Sequence, residues 1–193
     1  ERPYDNCPSH NIRTWSYWFS SDVNQTHIST EWRNPSNNNN FDHEVNIGLG
    51  SSPNRIIVKW TNQSHNNDGG TQSPITIHSV SVDDYINGTL TDSQWHHFVA
   101  TRDGSNNTII YIDGVSAATG SSSKTISISS GNFGIGGRPS ATDADEFSGK
   151  IRDVGCWSYA LSADQVASLY SGTYLQTPNH QYKLDEGSGT TVN

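Results

Sequence analysis

The chain of 193 residues predicts an all-β fold: two antiparallel sheets packed as a sandwich, with one short helix near the C-terminal end. Apolar residues recur in short runs that alternate with polar ones, the period of a strand with one buried face. Glycine, asparagine, aspartate and serine bound these runs about every ten residues, as turn chemistry requires. Helical periodicity is nearly absent.

In chain order, the candidate strands are residues 14–20, 41–49, 55–61, 94–101, 108–112, 124–128, 133–136 and 149–158. The first three are marked by aromatic and β-branched residues, which suit a pleated, half-buried surface. The pairs Asp103-Gly104 and Asp113-Gly114 flank Ile109–Ile112, so residues 95–112 read as a hairpin with polar tips. A helix is expected over 162–170: Ser162 and Gln165 have the capping-box spacing, Val166, Leu169 and Tyr170 form an apolar face, and Gly172 ends it. Residues 34–40 and 61–74 are too rich in Asn, Ser and Gly for a core and read as long surface loops.

Composition narrows the function. The net charge is −8, and no cluster of Lys or Arg concentrates positive potential, so nucleic acid is not expected as a partner. The acidity comes from 14 Asp against 5 Glu, many in polar loops, where a short carboxylate serves either a turn or a hard cation. No run approaches the ~18 apolar residues of a membrane span. No apolar segment near the N-terminus reads as a signal peptide, the expectation for a mature or excised soluble chain without membrane insertion. Cys7 and Cys156 could close a long disulfide loop and so imply an oxidising compartment; alternatively Cys156, two residues from Val154 on one strand face, is a small buried hydrophobe and Cys7 is free.

The stretch Trp95-His96-His97-Phe98-Val99-Ala100, followed by Ile110-Tyr111-Ile112-Asp113-Gly114, resembles the central hairpin of laminin-G-like domains of the concanavalin A-like lectin/glucanase family. Phe133-Gly134-Ile135-Gly136, then 147–154, Tyr159-Ala160-Leu161-Ser162 and 166–170 follow in the family's order. The resemblance covers about residues 94–172, with a weaker match at 15–19. It implies a two-sheet antiparallel jelly roll in which Trp95 and Phe98 are large buried residues and the helix plugs one sandwich edge. Of His96 and His97, adjacent on one strand, one is expected exposed and the other hydrogen-bonded inside.

One feature departs from the family order. In related domains a segment like residues 182–192 is the opening strand; here it closes the chain. The organisation expected is therefore a sandwich over 1–172, a linker over 173–179, and a strand within 180–193 carrying Tyr182, Leu184 and Val192. That strand folds back onto its own sheet, begins a tandem domain, or is donated head-to-tail to another copy of the chain, which would build a filament.

Enzymatic machinery is not expected. Glycosidases of this fold carry three carboxylates as Glu-x-Asp-x-Glu on one strand; here Glu44-Val45-Asn46-Ile47-Gly48 keeps only Glu44. The resemblance supports calcium as cofactor. Asp143, Asp145 and Glu146, with Asp153 nearby, are the candidate ligands, the alternative being a solvated acidic loop. Sugar binding needs exposed aromatic platforms beside hydrogen bonders. Trp32, between Glu31 and Arg33, and Trp60, ahead of Asn62 and His65, are the candidates, while Trp15, Trp18, Trp95 and Trp157 read as core. Sequons at Asn24, Asn62, Asn87 and Asn106 are possible glycosylation sites, although the Asn, Ser and Thr content alone predicts about four. The expectation is an extracellular or cell-surface, non-enzymatic adhesion and assembly module completed by a neighbour's strand, or else a calcium-dependent lectin module of a larger secreted protein that binds glycans.

Overall fold

The computed structural model describes residues 2–3, 12–23, 26–32, 41–47, 55–60, 76–81, 90–121, 132–137, 147–173 and 177–184. The strands among them are β1 (Arg2–Pro3), β2 (Arg13–Ser20), β3 (Thr26–Trp32), β4 (Phe41–Ile47), β5 (Arg55–Trp60), β6 (Thr76–Ser81), β7 (His96–Arg102), β8 (Asn107–Ile112), β9 (Val115–Ser121), β10 (Asn132–Ile135), β11 (Lys150–Trp157) and β12 (His180–Tyr182). They form two six-stranded sheets, ordered β1-β10-β3-β4-β5-β6 and β12-β11-β2-β7-β8-β9, and every pairing is antiparallel. Expected strands within the described residues are present with ends shifted by a residue or two; 124–128 lies outside them.

Alternation along the strands builds the core. Trp15, Tyr17 and Phe19 of β2, Phe98 and Ala100 of β7, Ile110 and Ile112 of β8, and Val154 and Cys156 of β11 meet Ile28 of β3 and Ile56 and Val58 of β5 in one buried cluster. Both sheets contribute, which makes the packing a sandwich. The Trp15 and Tyr17 rings stack at 6.1 Å and Tyr17 stacks on Phe98 at 5.8 Å. Cys156 is buried in this cluster, while Cys7 lies outside the described residues.

The opposite phase of the second sheet is also apolar, and this decides where the helix goes. Val99, Tyr111 and Trp157 alternate with the core residues and pack with Leu161, Val166 and Leu169 in a second buried cluster. Helix α1 (Ala163–Tyr170) thus covers the outer face of the sheet rather than plugging an edge, because that face presents large apolar side chains that need cover. Thr14 of β2 fixes its approach: its hydroxyl donates to the Tyr159 carbonyl at 2.8 Å and accepts from the Leu161 N–H at 2.9 Å. Ser162 and Gln165 make the expected capping box. At the other end Gly172, at φ +80, allows Thr173 N–H to reach the Ser168 carbonyl and Gly172 N–H that of Leu169, a Schellman closure.

The two Asp-Gly pairs act differently. Asp113 and Gly114 have φ of 50 and 80, the two left-handed residues of a type I′ turn between β8 and β9. Between β7 and β8 the left-handed residue is Asn106, at φ 65, and Asp103 organises the loop by accepting from the N–H groups of Ser105 and Asn107. The Asn106 Oδ1 accepts from Arg102 Nη2 at 3.0 Å. The sequons at Asn24, Asn62 and Asn87 lie outside the described residues.

The C-terminal strand folds back. In β12, Tyr182 pairs with Val154, Gln181 with Gly155 and His180 with Cys156 of the same chain. Tyr182 and Leu184 pack against the main core, and Val192 lies outside the described residues. β12 thus lies at the β11 edge of the second sheet of its own chain. Removing residues 180–193 is expected to lower the stability of the monomer by about 2 kcal/mol, from two half-buried side chains. Denaturant titration of the two forms checks this; equal midpoints would show that the strand adds nothing to its own sheet.

Candidate functional site

The first sheet brings the candidate sugar platforms together. Trp32, at the end of β3, pairs with Phe41, and Glu31 pairs with His43, which in turn pairs with Trp60 at the end of β5. The backbones of Trp32 and Trp60 therefore stand at one end of the sheet, two strand spacings or about 10 Å apart, with Glu31 and His43 alongside. Glu44, the remnant of the glycosidase pattern, pairs with Thr30 and Lys59 rather than with acidic positions.

Of the candidate calcium ligands, Asp143, Asp145 and Glu146 lie outside the described residues. Asp153 sits in a β-bulge of β11 at φ 49, donates its N–H to the Lys183 carbonyl at 3.0 Å, and keeps a carboxylate about one-third exposed. The Arg152 Nε is 3.9 Å from Asp153 Oδ2, an ion pair beyond hydrogen-bond reach. Among the described residues no three acidic, His or Cys side chains gather as a metal cluster.

The two histidines depart from expectation, since both are buried. His96 lies between two carboxylates, with Nδ1 2.9 Å from Asp113 Oδ2 and Nε2 3.2 Å from Asp92 Oδ1. Burial alone disfavours its cation, but the hydrogen bonds and charges of Asp113 and then Asp92 outweigh it and raise its pKa. The other Asp113 oxygen accepts the His97 N–H at 2.7 Å, so the turn carboxylate ties both residues down. His97 faces the helix side, shares a 2.8 Å hydrogen bond with Ser16 Oγ, and lies beside the Trp18 and Tyr170 rings. Desolvation pushes its pKa down to about 4. This Ser–His pair is sealed from solvent and cannot reach a substrate, so it serves packing rather than nucleophilic catalysis.

Among the tryptophans, Trp15 and Trp157 are buried as expected. Trp95 is 39% exposed and Trp18 only half-buried. Trp95 precedes β7 and its ring packs against the Arg152 guanidinium, a neighbour contributed by β11 that sequence reading had no means to pair with it.

A sequence profile described as the concanavalin A-like lectin/glucanases superfamily matches residues 5–167. The chain belongs to the concanavalin A-like lectin/glucanase superfamily. A search of the curated proteins finds no match by sequence. Solved structures share the fold of this superfamily member. A native heptameric SAP-like pentraxin from Limulus polyphemus aligns with TM-score 0.64 at 15% identity, over 95% of this chain and 80% of the pentraxin. Domain 4 of an extracellular arabinanase from Geobacillus stearothermophilus, solved with arabinotriose, aligns with TM-score 0.58 at 18% identity, over 83% of this chain and 67% of that domain's chain. The carbohydrate-binding module of a Ruminococcus gnavus IT-sialidase, bound to α2,3-sialyllactose, aligns with TM-score 0.62 at 14% identity, over 83% of each chain. The lectin/glucanase fold here is thus shared with sugar-binding domains, including modules of glycosidases. No helix among the described residues of this superfamily member is long and apolar enough to cross a membrane.

Proposed function

We propose that the chain is a non-enzymatic, extracellular carbohydrate-binding module in which Trp32 and Trp60 form the sugar platform. The observation that carries this reading is the register that gathers Trp32, Phe41, His43 and Trp60 at one end of the first sheet, with Glu31 paired to His43. Aromatic residues flanked by a few polar groups are what a pyranose requires: an apolar face for its C–H groups and acceptors for its hydroxyls. The sugar-bound modules among the fold's relatives support the same function class. The adhesion and filament reading has less support, because the C-terminal strand is engaged in its own sheet.

The test is saturable binding on a glycan panel followed by titration of the best ligand. Trp32→Ala or Trp60→Ala is expected to weaken binding on the order of tenfold, the usual cost of removing an aromatic anchor. A calcium ion held by Asp143, Asp145, Glu146 and Asp153 would make the same titration sensitive to EDTA and restorable by calcium. Binding unchanged in both tryptophan variants would remove the platform assignment, and turnover of any bound glycan that is lost in Glu44→Gln would replace the binding reading with an enzymatic one.

A further inference from the structure

The outer face of the second sheet carries a stack that the platform at the end of the first sheet does not use. The Arg152 guanidinium lies 4.7 Å from the Trp95 ring centroid and 5.1 Å from that of Trp18, and Trp18 stacks on Tyr170 at 5.7 Å. The layers run Trp95, Arg152, Trp18, Tyr170, drawn from four different elements: the residue before β7, β11, β2 and the end of α1. Register explains it, since Arg152 pairs with Trp18 across β11 and β2. Gly114 in the β8–β9 turn seats the fourth layer: a Cβ there would come within 3.0 Å of the Tyr170 ring.

The stack is open to solvent where its chemistry is strongest. Trp95 is 39% exposed, Tyr170 43%, and the Arg152 side chain 44%. Packing against two indoles desolvates the faces of a guanidinium and restricts its plane, while 44% of the Arg152 side chain stays exposed. The guanidinium makes no hydrogen bond among the described residues; its nearest carboxylate oxygen, Asp153 Oδ2, is 3.9 Å from Nε. A guanidinium held in one orientation with unused parallel donors matches a planar carboxylate, which takes two N–H groups at once. The indole and phenol rims beside it match the C–H surface of a pyranose. On a chain of net charge −8, a cation framed by aromatic rings offsets the repulsion that an anionic sugar would otherwise meet.

We propose that Trp95, Arg152 and Tyr170 form a second glycan site, specific for a hexuronate residue whose carboxylate is held by the Arg152 guanidinium. This rests on the reading of the chain as a carbohydrate-binding module and adds to it a separate face and a charge requirement.

The experiment titrates the full chain with trigalacturonate and with its carboxyl-reduced counterpart, which differ only in the carboxylates, and follows both tryptophan fluorescence and heat. Trigalacturonate is expected to bind at least tenfold more tightly, and to weaken as salt is raised. Arg152→Gln is expected to abolish that preference and Arg152→Lys to restore it only in part, because an ammonium cannot offer the paired donors. Trp95→Ala is expected to weaken binding of the acidic ligand. Each variant's thermal midpoint is compared with wild type, so that a loss of the fold is told apart from a loss of the site. Equal affinity for the two trisaccharides, no trigalacturonate binding, or a preference that survives Arg152→Gln overturns the hexuronate site. A chain that binds neutral glycans through Trp32 and Trp60 yet gives any of those results loses this site alone, and one that binds no glycan on the panel loses both assignments.

Discussion

Gly149→Ala is expected to destabilise the fold by at least about 3 kcal/mol, among the largest effects of adding one methyl group to this chain. Gly149 has φ 153, a region that residues with a Cβ rarely adopt. The added Cβ would also lie 2.2 Å from the Ser20 carbonyl oxygen and 2.9 Å from the Phe147 ring. Ser20 is a backbone neighbour that cannot rotate away: it pairs with Lys150, and the adjacent Ser21 hydroxyl donates to the Ser148 carbonyl at 2.7 Å. Relief would require β11 to part from β2 in the middle of the second sheet. Gly104→Ala is the control, since its Cβ would meet only the Ile12 side chain at 3.4 Å. A shift of about 2–4 °C in thermal midpoint per kcal/mol is expected for a chain of this size, so the two variants should separate by roughly 6 °C or more. Equal midpoints would show that the backbone at 149 can relax.

The second large effect is on stability against acid. The pKa of His97 falls from 6.5 to about 4 in the folded chain. Its neutral form therefore stabilises the fold above pH 6.5, and this contribution is lost as pH falls from there through 4, by about 3 kcal/mol in all. His96 acts with the opposite sign: its raised pKa gives stability that is complete below 6.5 and lost as pH rises through the folded value. Stability is thus expected to peak around pH 6–7. Denaturant titrations at pH 7 and pH 4 should show a fall that His97→Gln reduces by most of 3 kcal/mol, while the amide keeps a partner for Ser16. The same fall in the variant would place the acid sensitivity elsewhere, in carboxylates.

Much of the architecture was legible because its signals are local. Strands with one buried face announce themselves by alternation, as in Trp15, Tyr17 and Phe19, and the capping box of Ser162 and Gln165 is a matter of spacing within one turn. The strands that escaped are those whose side chains carry little apolar contrast. β9 reads Val-Ser-Ala-Ala-Thr-Gly-Ser at a sheet edge, and β3 and β6 interleave single apolar residues with Thr, Ser and His. The placement of the helix was missed for another reason: Val99, Tyr111 and Trp157 look like interruptions of an inward pattern until the sheet is known to be covered on both faces. The histidines were misjudged because adjacency on a strand separates faces but does not say which of them is wet. Trp32 and Trp60 could be proposed from their neighbours alone, yet only register brings them to one end of the sheet. The Trp95, Arg152, Trp18 and Tyr170 stack had no signal in the sequence, being assembled from residues up to 152 positions apart.

The bulge in β11 has a consequence for how this chain tolerates changes of length. Asp153 and Val154 together stand opposite Tyr17, so the strand contains one residue more than its partner. Ile151 before the bulge and Val154 and Cys156 after it all reach the core, although their numbers differ in parity. Position 153 therefore works like a spacer in a reading frame: removing it leaves both halves of the strand in phase. Losing a residue farther along β11 would turn the inward side of the remaining segment outward, exchanging what belongs in the core with what belongs under the helix.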